Sequence, residues 1–343
     1  MSEVSKALSG SRPPLPLLIT GVAGVAGYNA LDYFRRRYPG QVIGIRQRDN
    51  WPLVGEGVVA CNAEDPDELA RLFDEHQFKS VLNCAGNCAL KSCELDPAMA
   101  RRINVDGVEN VLSMIDGTDT RLVHLSIDLV FSGKAQGGYT EKHAPDPVTV
   151  YGRTMVDGER HVRDRQPSAC ILRISLPMGV SFNGHAGAID WIQSRFKKNK
   201  PATLYFDEVR TPAYSDCLNE LFEAALAGDL SGAFHAGGPR RMSLYEIAQV
   251  INRVGGYDPD LLMGCPRYDA GPIPPRAGNV AMISHRIDAA LGYSSLDPWP
   301  LDESLVPTHR DWHYDRPANE NGSAEWLADV LYRNPRRNVR CRA

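Results

Sequence analysis

Residues 15–27 read LPLLITGVAGVAG, and this stretch decides the fold. The apolar run 15–20 has the length of a β-strand, and glycines follow at positions 21, 24 and 27. From about Val25 to Tyr38 the apolar residues recur at helical spacing, and Pro39-Gly40 closes that pattern. The sequence therefore predicts a strand, a glycine-rich turn and a helix.

The same alternation continues along the chain. Further strands are predicted over 41–46, 57–61, 80–84, 121–126 and 170–174, with helices over 65–76, 97–115 and 150–165. Strands that alternate with helices are typical of a parallel sheet with helices on both faces. We predict an α/β protein with a Rossmann-type doubly wound parallel sheet and a smaller C-terminal substrate-binding lobe.

Changes in composition suggest the domain limits. We expect a disordered N-terminus over 1–13 and a dinucleotide-binding domain over 14–175. Residues 176–320, which are richer in Pro and Gly, are expected to form mainly the substrate-binding lobe, with some segments returning to the core. Residues 321–343 are expected to form a helix and a basic tail, whose arginines are interpreted as solvated.

Composition excludes several classes of function. The chain has 343 residues, 38 Lys and Arg against 42 Asp and Glu, and a net charge of −4, so neither nucleic acid nor a membrane is an expected partner. No secretory or membrane-spanning pattern is seen, which places the protein in the cytoplasm. The eight cysteines are scattered as in a reduced intracellular protein.

The glycine turn predicts a dinucleotide site. Backbone N–H groups at such a turn approach a pyrophosphate, which lies at the positive end of the following helix. The contacts are expected from Gly21, Ala23, Gly24 and Val25. By their position in the fold, Asn62 and Ala63 after the third strand, and Cys84, Ala85 and Gly86 after the fourth, are expected beside the adenine and the ribose.

The end of the second strand indicates which dinucleotide is bound. It reads Ile45-Arg46-Gln47-Arg48, with no acidic residue before Asp49. An acid there would bind the 2′-hydroxyl of NAD, whereas arginine accommodates the 2′-phosphate of NADP. Arg46 and Arg48 thus favour NADP(H) over NAD(H), with solvated surface charge as the alternative interpretation.

Taken together, the motifs resemble one known family. They are TGVAGVAG (20–27), NCAGN (83–87), RINVDG (102–107), LSIDLVFSG (125–133), YGRTMVDGE (151–159), DEVRTP (207–212) and PPRAGN (274–279). This set resembles the dTDP-4-dehydrorhamnose reductase family, a branch of the extended short-chain dehydrogenase/reductases that includes the regulatory beta subunit of methionine adenosyltransferase.

The resemblance implies hydride transfer from NADPH to a nucleotide-linked 4-keto sugar, with a Ser/Thr, a Tyr and a Lys as catalytic residues. Tyr151 matches the tyrosine, but Ile127 stands at the Ser/Thr position and Met155 at the lysine position. A thioether carries no charge and an aliphatic side chain donates no hydrogen bond. Strand alternation directs Ser126 away from Ile127.

The remaining site residues follow from the same resemblance. Tyr151, Ser126, Leu176 and Met178 are expected on the cofactor side. Asp128, Phe131 and Arg210 are expected on the substrate side, where turn capping, core packing and a surface carboxylate partner for Arg210 are the alternatives. Asn104 is expected to buttress the catalytic helix, and residues 181–187 form either a flap over the site or an ordinary loop.

No metal site is expected. His309 and His313 lie four residues apart, but no third ligand accompanies them, and Cys84, Cys88 and Cys93 lack zinc-site spacing. Three functions remain open. They are an altered NADP(H)-dependent oxidoreductase with a small-molecule substrate, a non-catalytic nucleotide-binding subunit with a protein partner, and a fold reused for non-redox chemistry. The oligomeric state is open as well, with a homodimer among the options.

Overall fold

A seven-stranded sheet forms the centre of the molecule. The computed structural model describes residues 12–185, 187–317 and 320–337. The sheet strands are β1 (Leu17–Thr20), β2 (Val42–Arg46), β3 (Val58–Ala60), β4 (Ser80–Asn83), β5 (Arg121–Ile127), β6 (Cys170–Ile174) and β11 (Gly232–Ala236). They lie in the order β3-β2-β1-β4-β5-β6-β11, and every pair is parallel. This confirms the predicted doubly wound sheet.

Helices flank the sheet and fill the second lobe. They are α1 (Val25–Arg37), α2 (Pro66–His76), α3 (Leu90–Leu95), α4 (Pro97–Arg101), α5 (Gly107–Ile115), α6 (Val150–Arg165), α7 (Ala188–Lys197), α8 (Ser215–Ala227), α9 (Leu244–Val254), α10 (His285–Leu291) and α11 (Ala324–Tyr332). Among the described residues, no helix combines the length and the apolar character that a membrane-spanning segment requires.

Two hydrophobic cores lie on opposite faces of the sheet because side chains alternate along each strand. Leu17 and Ile19 of β1 belong to the core that also contains Phe34 of α1 and Phe222 of α8. Leu18, between them, belongs to the other core with residues of α2, α5 and α6. The parallel strands are therefore buried on both faces, which explains their continuous apolar sequences.

The chain beyond β6 builds a second lobe but also returns to the first. Short strands pair within it, namely β7 (Pro177–Met178) with β10 (Ala213–Tyr214), β8 (Ala202–Tyr205) with β13 (Leu262–Cys265), and β9 (Val209–Arg210) with β12 (Met242–Ser243). Strand β11 extends the central sheet, and Gly278 N donates to Ser132 O at 2.9 Å. The exact domain limits stay a prediction.

The helix predicted over 97–115 is confirmed in its extent, but it is not a regular α-helix throughout. The structure has α4, a π-helical turn over Arg102–Asp106, and then α5. A separate helix, α3, precedes them. π-helical turns widen a helix by one residue and often position a functional side chain. Here the turn carries Asn104, whose contacts are described below.

One arginine of the basic C-terminal segment, Arg337, is anchored in the fold, whereas Arg333 and Arg336 stay largely exposed. Arg336 pairs with Asp297 at 3.0 Å, and the Arg337 guanidinium contacts Asp297 and Glu220. These carboxylates are distant in sequence, so the anchoring was invisible there. Arg340 and Arg342 lie outside the described residues, as do residues 1–11 of the predicted disordered N-terminus; Pro13 is buried.

Candidate active site

The glycine-rich turn joins β1 to α1 in the predicted place. Gly21 has a φ of +64°, and a Cβ built there would lie 2.4 Å from the carbonyl oxygen of Cys84. A Cβ on Gly27 would lie 2.4 Å from the carbonyl oxygen of Gly21. Both positions therefore require glycine for the turn to close against β4 and for the helix to pack on the turn.

Gly24 is different because its Cα faces open space. Within the described residues, a Cβ there would meet a single atom inside 4 Å, the carbonyl oxygen of Gly21 at 3.4 Å. Gly24 is the N-cap of α1, no side chain caps the helix, and no acidic residue lies in its first turn. The N–H groups of that turn are thus available to an anion, as a pyrophosphate site requires.

Residues after β7 lie against the same helix. Asn29 of α1 donates to Val180 O at 2.8 Å, and the Phe182 ring lies 6.4 Å from that of Tyr28. A Cβ on Gly187 would lie 3.3 Å from Val25 Cγ2. The segment interpreted as a flap or a loop therefore borders the first turns of α1.

Side-chain hydrogen bonds join the carboxyl ends of β1 and β4, next to the glycine-rich turn. Thr20 Oγ1 donates to Asn83 Oδ1 at 2.6 Å and accepts from Ala85 N at 3.0 Å. The Asn83 amide contacts His124 Nδ1 at 3.1 Å. Burial lowers the pKa of His124 to about 4, so this imidazole is neutral near pH 7.

The residues predicted at the adenine end do lie together. Arg48 N donates to Asn62 Oδ1 at 2.9 Å, and Ala63 is buried beside Asn62. The Arg48 guanidinium pairs with Glu68, a residue that the sequence reasoning missed. Arg46 instead donates to the backbone carbonyls of Leu53, Gln47 and Arg48.

Tyr151 lies in the first turn of α6. Thr149 caps this helix, accepting from Gly152 N at 2.9 Å. The Tyr151 side chain is 6% exposed, and its hydroxyl makes no hydrogen bond to any described residue. Burial raises the pKa of Tyr151 well above its usual value, with the nearby Asp128 raising it further and Arg210 opposing this. The phenol is therefore neutral near pH 7.

Met155 lies one turn after Tyr151 in an apolar environment. It is 5% exposed, and its Sδ lies 3.8 Å from the position of a Cβ built on Gly86. Ile127, at the end of β5, packs against the same hydrophobic cluster. Neither side chain offers a charge or a hydrogen bond to the space beside Tyr151.

Asn104 joins β4 to α6, as predicted. Its Oδ1 accepts from Asn87 N at 2.7 Å, and its Nδ2 donates to Thr154 Oγ1 at 2.9 Å. The side chain is buried. The π-helical turn thus fixes the loop after β4 against the helix that carries Tyr151 and Met155.

Ser126 points away from this space, into a buried charged cluster. Its hydroxyl donates to Glu159 Oε1 at 2.6 Å, and Arg173 donates to both oxygens of the same carboxylate at 2.8 and 2.7 Å. Hydrogen bonds and the charge of Arg173 lower the pKa of Glu159 despite burial. The Ser126 hydroxyl is thus engaged by a buried carboxylate. Its predicted contact with the cofactor stays a prediction.

The predicted substrate residues form a second buried cluster. Arg210 Nε donates to Asp128 Oδ2 at 2.6 Å, and Ser175 Oγ donates to the same carboxylate. Glu208, which the sequence reasoning missed, lies 3.9 Å from Arg210 and 3.5 Å from Arg276. Arg210 therefore has a carboxylate as its partner, but a buried one rather than the surface carboxylate weighed as the alternative.

Three further predicted contacts are placed in the core or beside it. Phe131 has no exposed surface and stacks on Tyr139 with ring centroids 4.2 Å apart. This burial contradicts a direct substrate contact and favours the packing alternative. Met178 is also fully buried in β7, and Leu176, at the end of β6, accepts from Ala213 N at 3.1 Å.

The two histidines singled out in the sequence, His309 and His313, have different surroundings. No cluster of three or more His, Cys, Asp or Glu side chains that could hold a metal ion is found among the residues the structure describes. His309 and His313 do not share an α-helix, since only a 3₁₀ turn over Trp312–Tyr314 is present. His309 pairs with Asp315, and His313 is buried.

The chain is similar to one protein family and to several known proteins. The family described as the RmlD substrate binding domain matches residues 16–302. The probable low-salt glycan biosynthesis reductase Agl14 of Haloferax volcanii is 28% identical over 200 residues, which is 58% of this chain and 67% of that protein. Subunit beta of methionine adenosyltransferase 2 from Rattus norvegicus is 27% identical over 252 residues, covering 70% of this chain and 72% of that protein.

Solved structures show the same fold. The dTDP-4-dehydrorhamnose reductase of Bacillus anthracis, in complex with NADP, superposes with a TM-score of 0.71 at 19% identity. The similarity covers 82% of this chain and 95% of that chain. The architecture of the central sheet is therefore that of these enzymes.

Proposed function

Since the chain belongs to the family of the RmlD substrate binding domain, we propose that it binds NADP(H) and presents it to a nucleotide sugar or a similar polar carbonyl compound. The observation that carries this proposal is the turn before α1. Gly24 leaves open space at an uncapped helix N-terminus that contains no acidic residue in its first turn. A bound nicotinamide would supply a hydride, and the chain's own residues would position it.

The charges at the end of β2 support NADP(H) over NAD(H). Arg48 is exposed by 62% and lies beside Asn62, on the side where an adenosine ribose is expected. Arg46 stabilises the following loop through three backbone carbonyls and is less free to bind a phosphate. Of the two arginines named from the sequence, Arg48 is therefore the better candidate.

Tyr151 is the only one of the three expected catalytic groups that is present. In ketone reduction a neutral phenol donates its proton to the developing alkoxide, and Tyr151 has the required neutral form. No lysine at position 155 lowers its pKa, and no hydroxyl at position 127 stabilises the oxyanion. Loss of one such donor costs about 3 kcal/mol, or about a hundredfold in rate. Reduction through Tyr151 alone is therefore slow.

The substrate side pairs two arginines with two carboxylates, and one of these arginines is partly exposed. Asp128 and Arg210 neutralise each other, so a substrate phosphate would need another partner. Arg276, whose side chain is 24% exposed, lies at the edge of the same cluster and over the Tyr205 ring at 4.6 Å. It suits one phosphate of a nucleoside diphosphate, with Arg210 fixing the cluster beneath it.

A second candidate function is a non-catalytic nucleotide-binding subunit with a protein partner. Ile127 and Met155 favour it because both are apolar and pack into the hydrophobic cluster around Tyr151. One relative reported above is the beta subunit of an adenosyltransferase. In this case the dinucleotide would stabilise the subunit, and no substrate would be reduced.

Turnover separates the two candidates. The protein in excess over NADPH is mixed with a 4-keto nucleotide sugar such as dTDP-4-dehydrorhamnose, and the decrease of NADPH absorbance is followed. The reductase predicts slow oxidation that Tyr151→Phe lowers by at least about tenfold. The double variant Ile127→Thr with Met155→Lys is expected to oxidise NADPH about a hundredfold faster.

Two results would contradict the catalytic role. Oxidation at the same rate in wild type and Tyr151→Phe would remove Tyr151 from the mechanism. No oxidation in the wild type, with oxidation only in the double variant, would favour the non-catalytic subunit. Ile127→Val, which adds no hydrogen-bonding group, is the matched control for Ile127→Thr.

A further inference from the structure

The two arginines after β2 have different partners. The Arg46 guanidinium donates to Leu53 O at 2.6 Å, Gln47 O at 3.0 Å and Arg48 O at 3.3 Å, so it is committed to the loop. The Arg48 guanidinium has one hydrogen-bonding partner among the described residues, the carboxylate of Glu68. Its side chain is otherwise 62% exposed.

Glu68 is held more firmly than Arg48. Its Oε2 accepts from Asn62 N at 3.1 Å, while its Oε1 receives the Arg48 guanidinium. The side chain is 13% exposed. Glu68 lies in the first turn of α2, where Asp65 accepts from its backbone N–H at 3.1 Å. The carboxylate is thus fixed by backbone contacts that do not depend on Arg48.

This arrangement places an anion where a 2′-phosphate needs a cation. To bind the phosphate, Arg48 must leave the Glu68 carboxylate or share its charge between two anions. The phosphate would also lie near Glu68, and like charges at short range repel each other. A ribose 2′-hydroxyl meets neither obstacle, since it can donate a hydrogen bond to a carboxylate.

From these contacts we infer that Glu68 sets the dinucleotide preference of the protein, by competing with the 2′-phosphate of NADP(H) for Arg48. Glu68 is therefore a specificity-determining residue that lowers the affinity for NADPH relative to the affinity for NADH. The inference rests on the proposed function, because it assumes that a dinucleotide binds at this end of the sheet.

The test measures dissociation constants for NADPH and NADH by calorimetry at low and at high salt. Glu68→Gln keeps an acceptor for Asn62 N but removes the charge. It is expected to raise the ratio of NADPH affinity to NADH affinity by about fivefold. This size matches the free energy of an exposed ion pair, which Arg48 no longer has to give up. The gain should shrink at high salt because charge interactions at the surface are screened.

Glu64→Gln is the matched control. Glu64 lies in the loop just before α2 and accepts from Gln47 Nε2 at 3.3 Å, but it makes no hydrogen bond to Arg48. It removes the same charge from the region and should leave the ratio of the two affinities within about twofold. Arg48→Gln should lower that ratio, and in this background Glu68→Gln should change it less than it does in the wild-type chain.

The outcomes separate this inference from the proposed function. If both dinucleotides bind but Glu68→Gln leaves the ratio unchanged or lowers it, the competition does not exist and the inference is wrong. If Glu64→Gln changes the ratio as much as Glu68→Gln, general charge rather than competition for Arg48 sets it. If wild type binds neither dinucleotide, the proposed function fails and the inference fails with it.

Discussion

At the dinucleotide end of the proposed site, Gly21 and Gly27 are enclosed by backbone atoms. At the catalytic end, Ile127 and Met155 are enclosed by side chains. A Cβ at Gly21 or Gly27 would lie 2.4 Å from a carbonyl oxygen that cannot move independently. Met155 and Ile127 instead pack among hydrophobic neighbours that tolerate many side chains of similar volume.

This difference explains why the two ends diverge differently from the family pattern. The fold needs two of the three glycines whether or not a dinucleotide binds, so their presence alone is weak evidence for the ligand. No comparable demand keeps a lysine at position 155 or a hydroxyl at position 127. Gly24 is the exception at the dinucleotide end, because open space rather than backbone surrounds its Cα.

The largest expected effect contrasts two residues on one face of α6, Met155 and Glu159. Glu159 is fully buried and accepts from Arg173, Arg163 and Ser126. Glu159→Gln leaves the buried Arg173 guanidinium without its counter-charge and should lower the free energy of unfolding by about 3–5 kcal/mol. Urea denaturation followed by circular dichroism measures this.

Met155→Leu is the matched variant because it keeps volume and apolar character. We expect it to lower the free energy of unfolding by less than about 1.5 kcal/mol. Equal losses for the two variants would mean that position 155 is as constrained as position 159. The contrast between replaceable catalytic positions and a fixed scaffold would then be broken.

The next effect divides the glycines of the turn. Gly21→Ala places a Cβ against the Cys84 carbonyl at a positive φ and should lower the free energy of unfolding by about 3 kcal/mol. Gly24→Ala should lower it by less than about 1 kcal/mol, because its φ is −80° and nothing blocks the Cβ.

Nucleotide binding should show the opposite sensitivity for Gly24. Because its Cα would face the pyrophosphate, Gly24→Ala is expected to weaken NADPH binding by at least about tenfold while the protein stays folded. Calorimetric titration and thermal unfolding of the same preparation measure both quantities. Unchanged NADPH affinity in Gly24→Ala would separate the open space from the ligand and undo the main support for the proposed function.

Backbone patterns were readable in the sequence because they repeat locally. The alternation of strands and helices, the turn at 20–27 and the helix over 150–165 follow from apolar spacing and glycine, and the structure confirms them. The seventh sheet strand, Gly232–Ala236, was not identified because its sequence lies within the irregular second lobe. Its parallel pairing with β6 is a tertiary contact that no local pattern encodes.

Partners of charged side chains were the hardest part of the site to predict. Arg48 was singled out for a phosphate and Arg210 for a substrate, yet Glu68 and Asp128 are their partners in the fold. Phe131 was assigned to the substrate, whereas stacking on Tyr139 buries it completely. Motifs identify which residues lie near a site, but the folded chain decides which of them still face it.

The smallest effect concerns His124, which lies between the two ends, in contact with Asn83 and facing Gly158 of α6. Burial lowers its pKa from 6.5 to about 4. Between these values the unfolded chain binds more protons than the folded one, so the free energy of unfolding decreases as the pH is lowered. His124 should account for a decrease of about 2 kcal/mol on going from pH 7 to pH 5. Burial also lowers the pKa of His235 to about 4 and lowers that of His313, so His124→Leu should reduce the slope rather than abolish it. Urea denaturation at several pH values measures the slope. The same slope in wild type and His124→Leu would mean that His124 is solvated, and that the two ends are less tightly joined than the hydrogen bond to Asn83 indicates.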